Sequence, residues 1–292
     1  MNVLEAKPPR ISTYRMPYKT YISGDGFRAM ADHVFDETDE SLSASEIAYG
    51  DIIFVKTNLL GKFFEKIHPF ISDPYILISH NADHGAPAEF EDYLNDPKIL
   101  RWFAQNPTIR HHEKFEAIPI GIQNRYVCKD RLQNFVIFDE YRLQHKIEKN
   151  CLVGLNFVRS NWLPRQIAYD CFINRTYCHQ ILSENHLDYL MKMSRAKFII
   201  SPVGNGLDCH RTWEAIIVGA IPILISSQLD ELLQDLPVCI VTDWHIVTEE
   251  FLEKMYTQIQ ENRKQSVIEK VTYDYWEQRI RDFQIKCRQN RQ

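Results

Sequence analysis

The stretch KFIISPVGNGLDCHRTWEAIIVGAIPILI, from Lys197 to Ile225, admits few folds. Lys197 through Ser201 is a short apolar run with β-branched centres, and Pro202 closes it because proline has no N–H for the next rung of a sheet. Val203, Gly204, Asn205 and Gly206 read as a turn whose two glycines reach backbone angles closed to other residues. Asp208 stands where an N-cap is expected. Trp213, Ile216, Ile217 and Ala220 recur at helical spacing, and Gly219 with Pro222 ends that helix before a second buried strand, Ile221 to Ile225. Strand, glycine turn, helix and strand in this order predict an α/β protein.

Arg211 and Glu214 are polar where core packing does not need them. Spaced i and i+3, they share a face near the positive end of the helix dipole, beside loop amides exposed by the glycine pair. An anion site with an added guanidinium follows: Arg can grip a diphosphate through two parallel hydrogen bonds, and Glu can accept from ribose hydroxyls. The plainer alternative is a surface salt bridge on an ordinary α/β helix.

The run GNGLDCHRTWEAIIVGAIPI, followed by Leu236, Pro237 and Val238, the strand to Val241, then Asp243 and Trp244, closely resembles the C-terminal half of exostosin-like glycosyltransferases. These include small soluble ones encoded by bacteria and large algal viruses. The resemblance implies two Rossmann-like domains of the GT-B type facing each other across a cleft, the sugar nucleotide held mainly by the C-terminal one. Residues 1–148 would form the acceptor-side domain, 149–265 the nucleotide-sugar domain, and 266–292 a helix able to cross back onto the first. The implied reaction is inverting transfer from a nucleoside-diphosphate sugar to a hydroxyl of a glycan acceptor. Uridine-linked sugars such as xylose are favoured over guanosine-linked fucose. Arg211 and the Gly204–Gly206 loop would neutralise the leaving diphosphate and Glu214 would hold the ribose. Ser201, Asn205, Asp208 and His210 would line the pocket, with Asn161 and Arg165, after the strand CLVGLNF, as secondary donor contacts.

Single displacement needs a base to take the acceptor proton, and the resemblance places it in the N-terminal half. Tyr18 to Ser23 reads as a first strand, Gly24-Asp25-Gly26 as a turn, and Phe27 to Phe35 as a helix; Asp25 either faces the cleft or caps that helix. Asp51 to Lys56 is a buried parallel strand, and Tyr75 to Ser79 a further strand running into His80, Asn81, Asp83 and His84. No packing requirement explains that polar cluster. Asp83 is the first choice of base, followed by His80, His84 and Asp25, with His80 and Asn81 also placed for acceptor binding. Asn81 and Asp83 could instead only cap the loop before Pro87. Ile99 to Phe103 reads as a short amphipathic helix. Phe115 to Ile122 is a buried strand that brings Arg125 to its end, toward acceptor or donor phosphates. Beyond it, Asn134 to Lys149, Tyr169 to Cys178 and Asp188 to Ala196 are expected helices.

With 45% apolar residues in 292, each half can build its own core, and a net charge of −5 gives no general attraction to nucleic acid. Seven cysteines without a CxxC, in mostly apolar runs, predict reduced thiols; with neither a signal-peptide core nor a membrane-length apolar window, a soluble cytoplasmic protein is expected. No Asp-x-Asp pair stands in a strand-end loop, so neither a divalent metal nor another cofactor is expected. A dinucleotide-dependent oxidoreductase would need a third glycine where Cys209 stands. A sugar- or nucleotide-binding module without turnover is the remaining alternative.

Overall fold

Strands that are apolar along their length need cover on both faces, and each of the chain's two sheets has such strands at its centre, Ile52–Val55 and Tyr75–Ile78 in one, Phe198–Ile200 and Ile221–Leu224 in the other. The computed structural model describes residues 15–127, 130–159, 162–262 and 265–291. In the first sheet β1 (His33–Phe35), β2 (Ile52–Lys56), β3 (Tyr75–His80), β4 (Ile99–Ala104) and β5 (Phe115–Ala117) lie in sequence order, all parallel. Alternate residues divide between two cores. Ile52, Phe54, Ile76 and Ile78 face α1 (Gly24–Met30), whereas Ile53, Val55 and Leu77 join Phe63 and Phe64 of α2 (Leu60–Lys66).

After α3 (Arg131–Gln144) comes the second parallel sheet, ordered β10-β9-β8-β6-β7. Its strands are β6 (Cys151–Leu155), β7 (Cys178–Gln180), β8 (Ala196–Ile200), β9 (Ile221–Ile225) and β10 (Cys239–Val241). The helices are α4 (Leu163–Phe172), α5 (His186–Ser194), α6 (His210–Ile217), α7 (Asp230–Leu233) and α8 (Glu249–Glu261). The chain leaves β6 for β7 on one side and returns to β8 on the other. Such a reversal opens a crevice at the carboxyl ends of the two central strands, where open α/β sheets bind ligands.

The expected pairing of two Rossmann-like α/β units is therefore present, and the terminal helix α9 (Tyr273–Asn290) does cross back to the first. Trp276 packs edge-on against Phe27 at 5.8 Å and donates from Nε1 to the Lys270 carbonyl at 2.8 Å. Gln284 Nε2 donates to Asp32 Oδ2 at 2.7 Å and to the Gly50 carbonyl at 2.9 Å, and Arg288 pairs with Asp51 at 2.8 Å.

Several local expectations are corrected. Tyr18–Ser23 makes only isolated bridges, and α1 stops at Met30, leaving His33–Phe35 as an edge strand rather than the end of a helix. Ile99–Ala104 is strand β4, not a helix: Trp102 is buried and its Nε1 donates to Ser79 Oγ of β3 at 2.8 Å. Six residues are too few for apolar periodicity to separate helix from strand. Cys178–Gln180 is the edge strand β7, because α4 starts earlier, with Pro164 in its first turn. Helix α6 begins at His210, so Cys209 and not Asp208 is its N-cap residue. The six described cysteines are all free, and no described helix is long and apolar enough to cross a membrane.

Trp276 is 2% exposed at the centre of the α9 contact. Trp276→Ala is expected to lower unfolding stability by about 3–5 kcal/mol in denaturant titrations. Ile285→Ala on the outer face, 51% exposed, should change it by under about 0.5 kcal/mol.

Candidate active site

The segment between β8 and α6 positions the site, and its glycines are there for close approach. A Cβ on Gly206 would lie 2.6 Å from Asn106 Nδ2, and one on Gly204 would lie 2.9 Å from Arg165 Nη2. Neither glycine has positive φ, which falls instead at Gly50, Gly121 and Gly219. The expectation of special backbone angles is thus replaced by one of space: the loop is pressed against the first unit on one side and against a guanidinium on the other.

Asp208 holds the two units together. Its buried carboxylate accepts from Ile120 N of the first unit at 2.8 Å, from Cys209 N at 2.8 Å, and from Trp213 Nε1 at 2.8 and 3.0 Å. Its backbone N–H donates to Asn106 Oδ1 at 2.8 Å. Burial raises its pKa to about 6, against the pull of these donors. Both oxygens face protein donors, so this side chain is a clamp across the units rather than a ligand group. Beside it, His210 Nδ1 meets the Gly121 carbonyl at 2.7 Å.

The carboxyl edges of the sheets face each other across a cleft of about 550 Å³ at the β6/β8 reversal, lined by Arg165, Arg211, Asn156, Glu214, Asp83 and His210 among others. The two arginines are anchored on loop carbonyls: Arg165 Nε on Val203 at 3.3 Å and Arg211 Nη1 on Pro202 at 3.4 Å. Arg211 also lies over the Phe157 ring, 5.3 Å from its centroid. Burial, with a contribution from neighbouring Arg165, lowers the Arg211 pKa. Among the described residues, no carboxylate forms an ion pair with either. Two cations held this way present an anion receptor.

Glu214 is differently engaged. Its Oε1 takes Arg131 Nη1 at 2.7 Å, with His186 Nε2 at 3.5 Å, and its Oε2 takes Tyr189 Oη at 2.8 Å. Burial alone would raise its pKa, but the His186 contact and the Arg131 charge hold it near 2. The carboxylate thereby ties α3, α5 and α6 together behind the cleft.

A smaller hollow of about 220 Å³ adjoins the first on the side of the N-terminal unit, and Asp83, Ile120, Gln123 and His210 border both. Asp83 is exposed, and its Oδ2 accepts from Asn205 Nδ2 across the units at 3.3 Å. His80 borders the hollow but has both ring nitrogens occupied: Nδ1 accepts from Asn81 N at 2.7 Å and Nε2 donates to the Pro119 carbonyl at 3.0 Å. Burial lowers its pKa to about 4.

Asn81 also borders this hollow. Asp25 lies behind it, taking Arg15 at 2.9 Å and Asn81 Nδ2 at 3.3 Å on one oxygen while its second buried oxygen has no partner. Ser201 faces Thr212 at 2.9 Å, away from the cleft. His84 and Arg125 are exposed and border neither hollow, and Asn161 lies outside the described residues. Sequence reasoning gave no signal for Arg131, His186 and Tyr189, because the two helices that bear them meet α6 only in the folded chain. Asn156, near the end of the CLVGLNF run, lines the cleft with both amide atoms buried and unpartnered.

These features define an α/β protein of two parallel sheets with an arginine-bearing cleft between them. No protein-family model matches the chain. It is 26% identical over 144 residues to ribitol-5-phosphate xylosyltransferase 1 of Danio rerio, covering 45% of this chain and 28% of that protein. The match thus spans little more than a quarter of that relative's length. Among solved structures it is similar to a UDP-forming α,α-trehalose-phosphate synthase from Burkholderia vietnamiensis (TM-score 0.42, 11% identity, 82% of this chain and 73% of that one). The N-terminal domain of Candida albicans trehalose-6-phosphate phosphatase aligns with TM-score 0.44 and 11% identity, over 83% and 73% of the two chains. The catalytic domain of starch synthase IV from Arabidopsis thaliana, bound to ADP and acarbose, aligns with TM-score 0.36 and 12% identity, over 82% and 73%.

Glu214→Gln leaves Arg131 without its charge partner and is expected to lower stability by about 3 kcal/mol at pH 7. A depressed carboxyl pKa stabilises above the unfolded value and loses that stabilisation as pH falls through the folded one. The gap between wild type and variant should therefore close between about pH 4.5 and 2 in urea titrations.

Proposed function

We propose that this protein is a glycosyltransferase that takes a sugar from a nucleoside diphosphate and places it on a hydroxyl of a glycan acceptor. The observation that carries the proposal is the pairing of Arg165 and Arg211 on loop carbonyls at the mouth of a parallel-sheet reversal. A departing diphosphate gains one negative charge as its bond to the anomeric carbon breaks, and fixed guanidinium groups meet that charge without reorganising. Gly204, Gly206 and Glu214 line the same cleft as the two arginines; the phosphates would lie against the glycine loop and the ribose toward Glu214. With cationic side chains serving the leaving group, transfer is proposed to run without a divalent ion.

The partial sequence relationship to a xylosyltransferase supports this class and favours a pentosyl donor such as UDP-xylose over a guanosine-linked one. Direct displacement, with inversion at the anomeric carbon, fits a second hollow that joins the first. A hydroxyl lodged in the 220 Å³ hollow would approach the sugar from the side opposite the diphosphate. Asp83 and His210 are the two proton-accepting side chains that border both spaces.

Isothermal titration with UDP tests the donor site. Arg165→Ala and Arg211→Ala should each weaken binding by roughly 10- to 150-fold, the worth of about 1.5–3 kcal/mol for a charged hydrogen bond. Asp83→Asn should leave the affinity within about twofold. Unchanged binding in both arginine variants would remove the phosphate site from this cleft, and tight binding with no release of UDP from UDP-xylose would make the protein a binding module.

A further inference from the structure

We propose that His210, on the C-terminal unit, takes the proton from the acceptor hydroxyl, the role that sequence alone gave to Asp83 in the N-terminal half. The inference rests on the transferase reading and names the base within it. His210 is the first residue of α6 and stands where the larger and smaller hollows meet. Its Nδ1 lies 2.7 Å from the Gly121 carbonyl. A carbonyl can only accept, so Nδ1 carries the hydrogen and Nε2 is left with its lone pair. One contact to the opposite unit thus sets the tautomer that a general base requires, as a carboxylate does for the base of a hydrolytic triad.

The other candidates lack this arrangement. His80 spends both nitrogens on protein partners. Asp25 is shielded by Asn81. Asp83 is exposed to solvent and held to Asn205 across the units. A base works best when its pKa lies close to the working pH.

The charged groups facing His210 are Glu214 on α6, Arg131 at the head of α3 and Asp83 in the loop after β3, with the His80 imidazole also within electrostatic reach. Burial lowers its pKa, while Gly121, Glu214 and Asp83 oppose that shift. The ring is therefore neutral, and ready to accept, at pH 7. In the step itself the acceptor oxygen forms a bond to the anomeric carbon as the bond from that carbon to the phosphate oxygen breaks. The electron pair of the broken bond leaves on the diphosphate, which Arg165 and Arg211 face, and the hydroxyl proton passes to Nε2. No further reactant is needed.

The test compares His210→Asn with wild type. The Asn amide sits where Nδ1 does and can still donate to Gly121, so contact between the units is kept while the proton acceptor is lost. UDP release from UDP-xylose is measured from pH 5 to 8 over a panel of mono- and disaccharide acceptors, alongside UDP binding by titration calorimetry. His210→Asn is expected to bind UDP within about twofold of wild type and to lose about 100-fold or more in kcat. Wild-type kcat should fall on the acid side below the ordinary histidine value of about 6.5, and that limb should vanish in the variant. Asp208, two residues away with a pKa near 6, would give an acid limb that persists in His210→Asn; persistence overturns the proposal. So does a kcat within about fivefold of wild type, or a larger loss in Asp83→Asn than in His210→Asn. UDP binding with no turnover by wild type removes the transferase reading and this one together. UDP binding separately reports on the donor site.

Discussion

A carboxylate cannot be buried without donors to meet it, and Asp208 meets donors from both halves of the chain. Ile120 N reaches it from the N-terminal unit, while Cys209 N and Trp213 Nε1 reach it from its own loop and helix. Separating the units would leave Ile120 N and Asn106 Oδ1 without these protein partners. The rest of the site follows from that constraint. It fixes the distance between the two sheet edges, brings Asn205 to Asp83, and sets His210 against Gly121. A raised pKa is the local consequence: the charged form is tolerated only because the interface supplies its hydrogen bonds.

The electrostatics of the cleft then sort its polar residues into two groups. Glu214 is compensated within the protein by Arg131, with Tyr189 donating to its other oxygen and His186 close by at 3.5 Å. It organises helices and leaves little charge for a ligand to meet. Arg165 and Arg211 are anchored on neutral carbonyls and have no carboxylate partner among the described residues, so their charge is uncompensated in a partly enclosed space. Two like charges brought together by folding are unfavourable until an anion joins them. That difference is what suits the cleft to an anion, and a residue-type count cannot reveal it, since each group contains an arginine.

Much of this was legible in the sequence because the βαβ unit around Gly204 obeys local rules. Apolar runs gave β8 and β9, Gly219 gave the end of α6 with its φ of 78°, and polar residues at strand ends marked the edges where the cleft lies. What was illegible depended on contacts between distant segments. Ile99 to Phe103 reads alone as a short amphipathic helix, and only the neighbouring strand with Ser79 makes Trp102 a buried strand residue. Gly206 looked like a turn glycine, but its lack of a side chain serves Asn106, a hundred positions earlier. Asp208 looked like a cap because caps and clamps draw on the same acidic residues. Only the N-terminal unit, which brings Ile120 and Asn106 to Asp208, distinguishes them.

The order His210-Arg211 gains its meaning from the same geometry. Successive residues of a helix project about 100° apart, so the first turn of α6 presents one side chain to the junction of the hollows and the next to the larger cleft alone. Displacement at a sugar carbon needs the entering oxygen and the departing phosphate on opposite sides, with the reacting atoms held near 3 Å. In the proposed reaction the grip on the phosphate and the acceptor for the proton would share the first turn of α6, which fixes their spacing. The Gly121 carbonyl adds the other half of the condition, since it supports the imidazole only when the N-terminal unit is closed on α6. In the proposed reaction, contact between the units and the tautomer of the base would then be set by one and the same hydrogen bond.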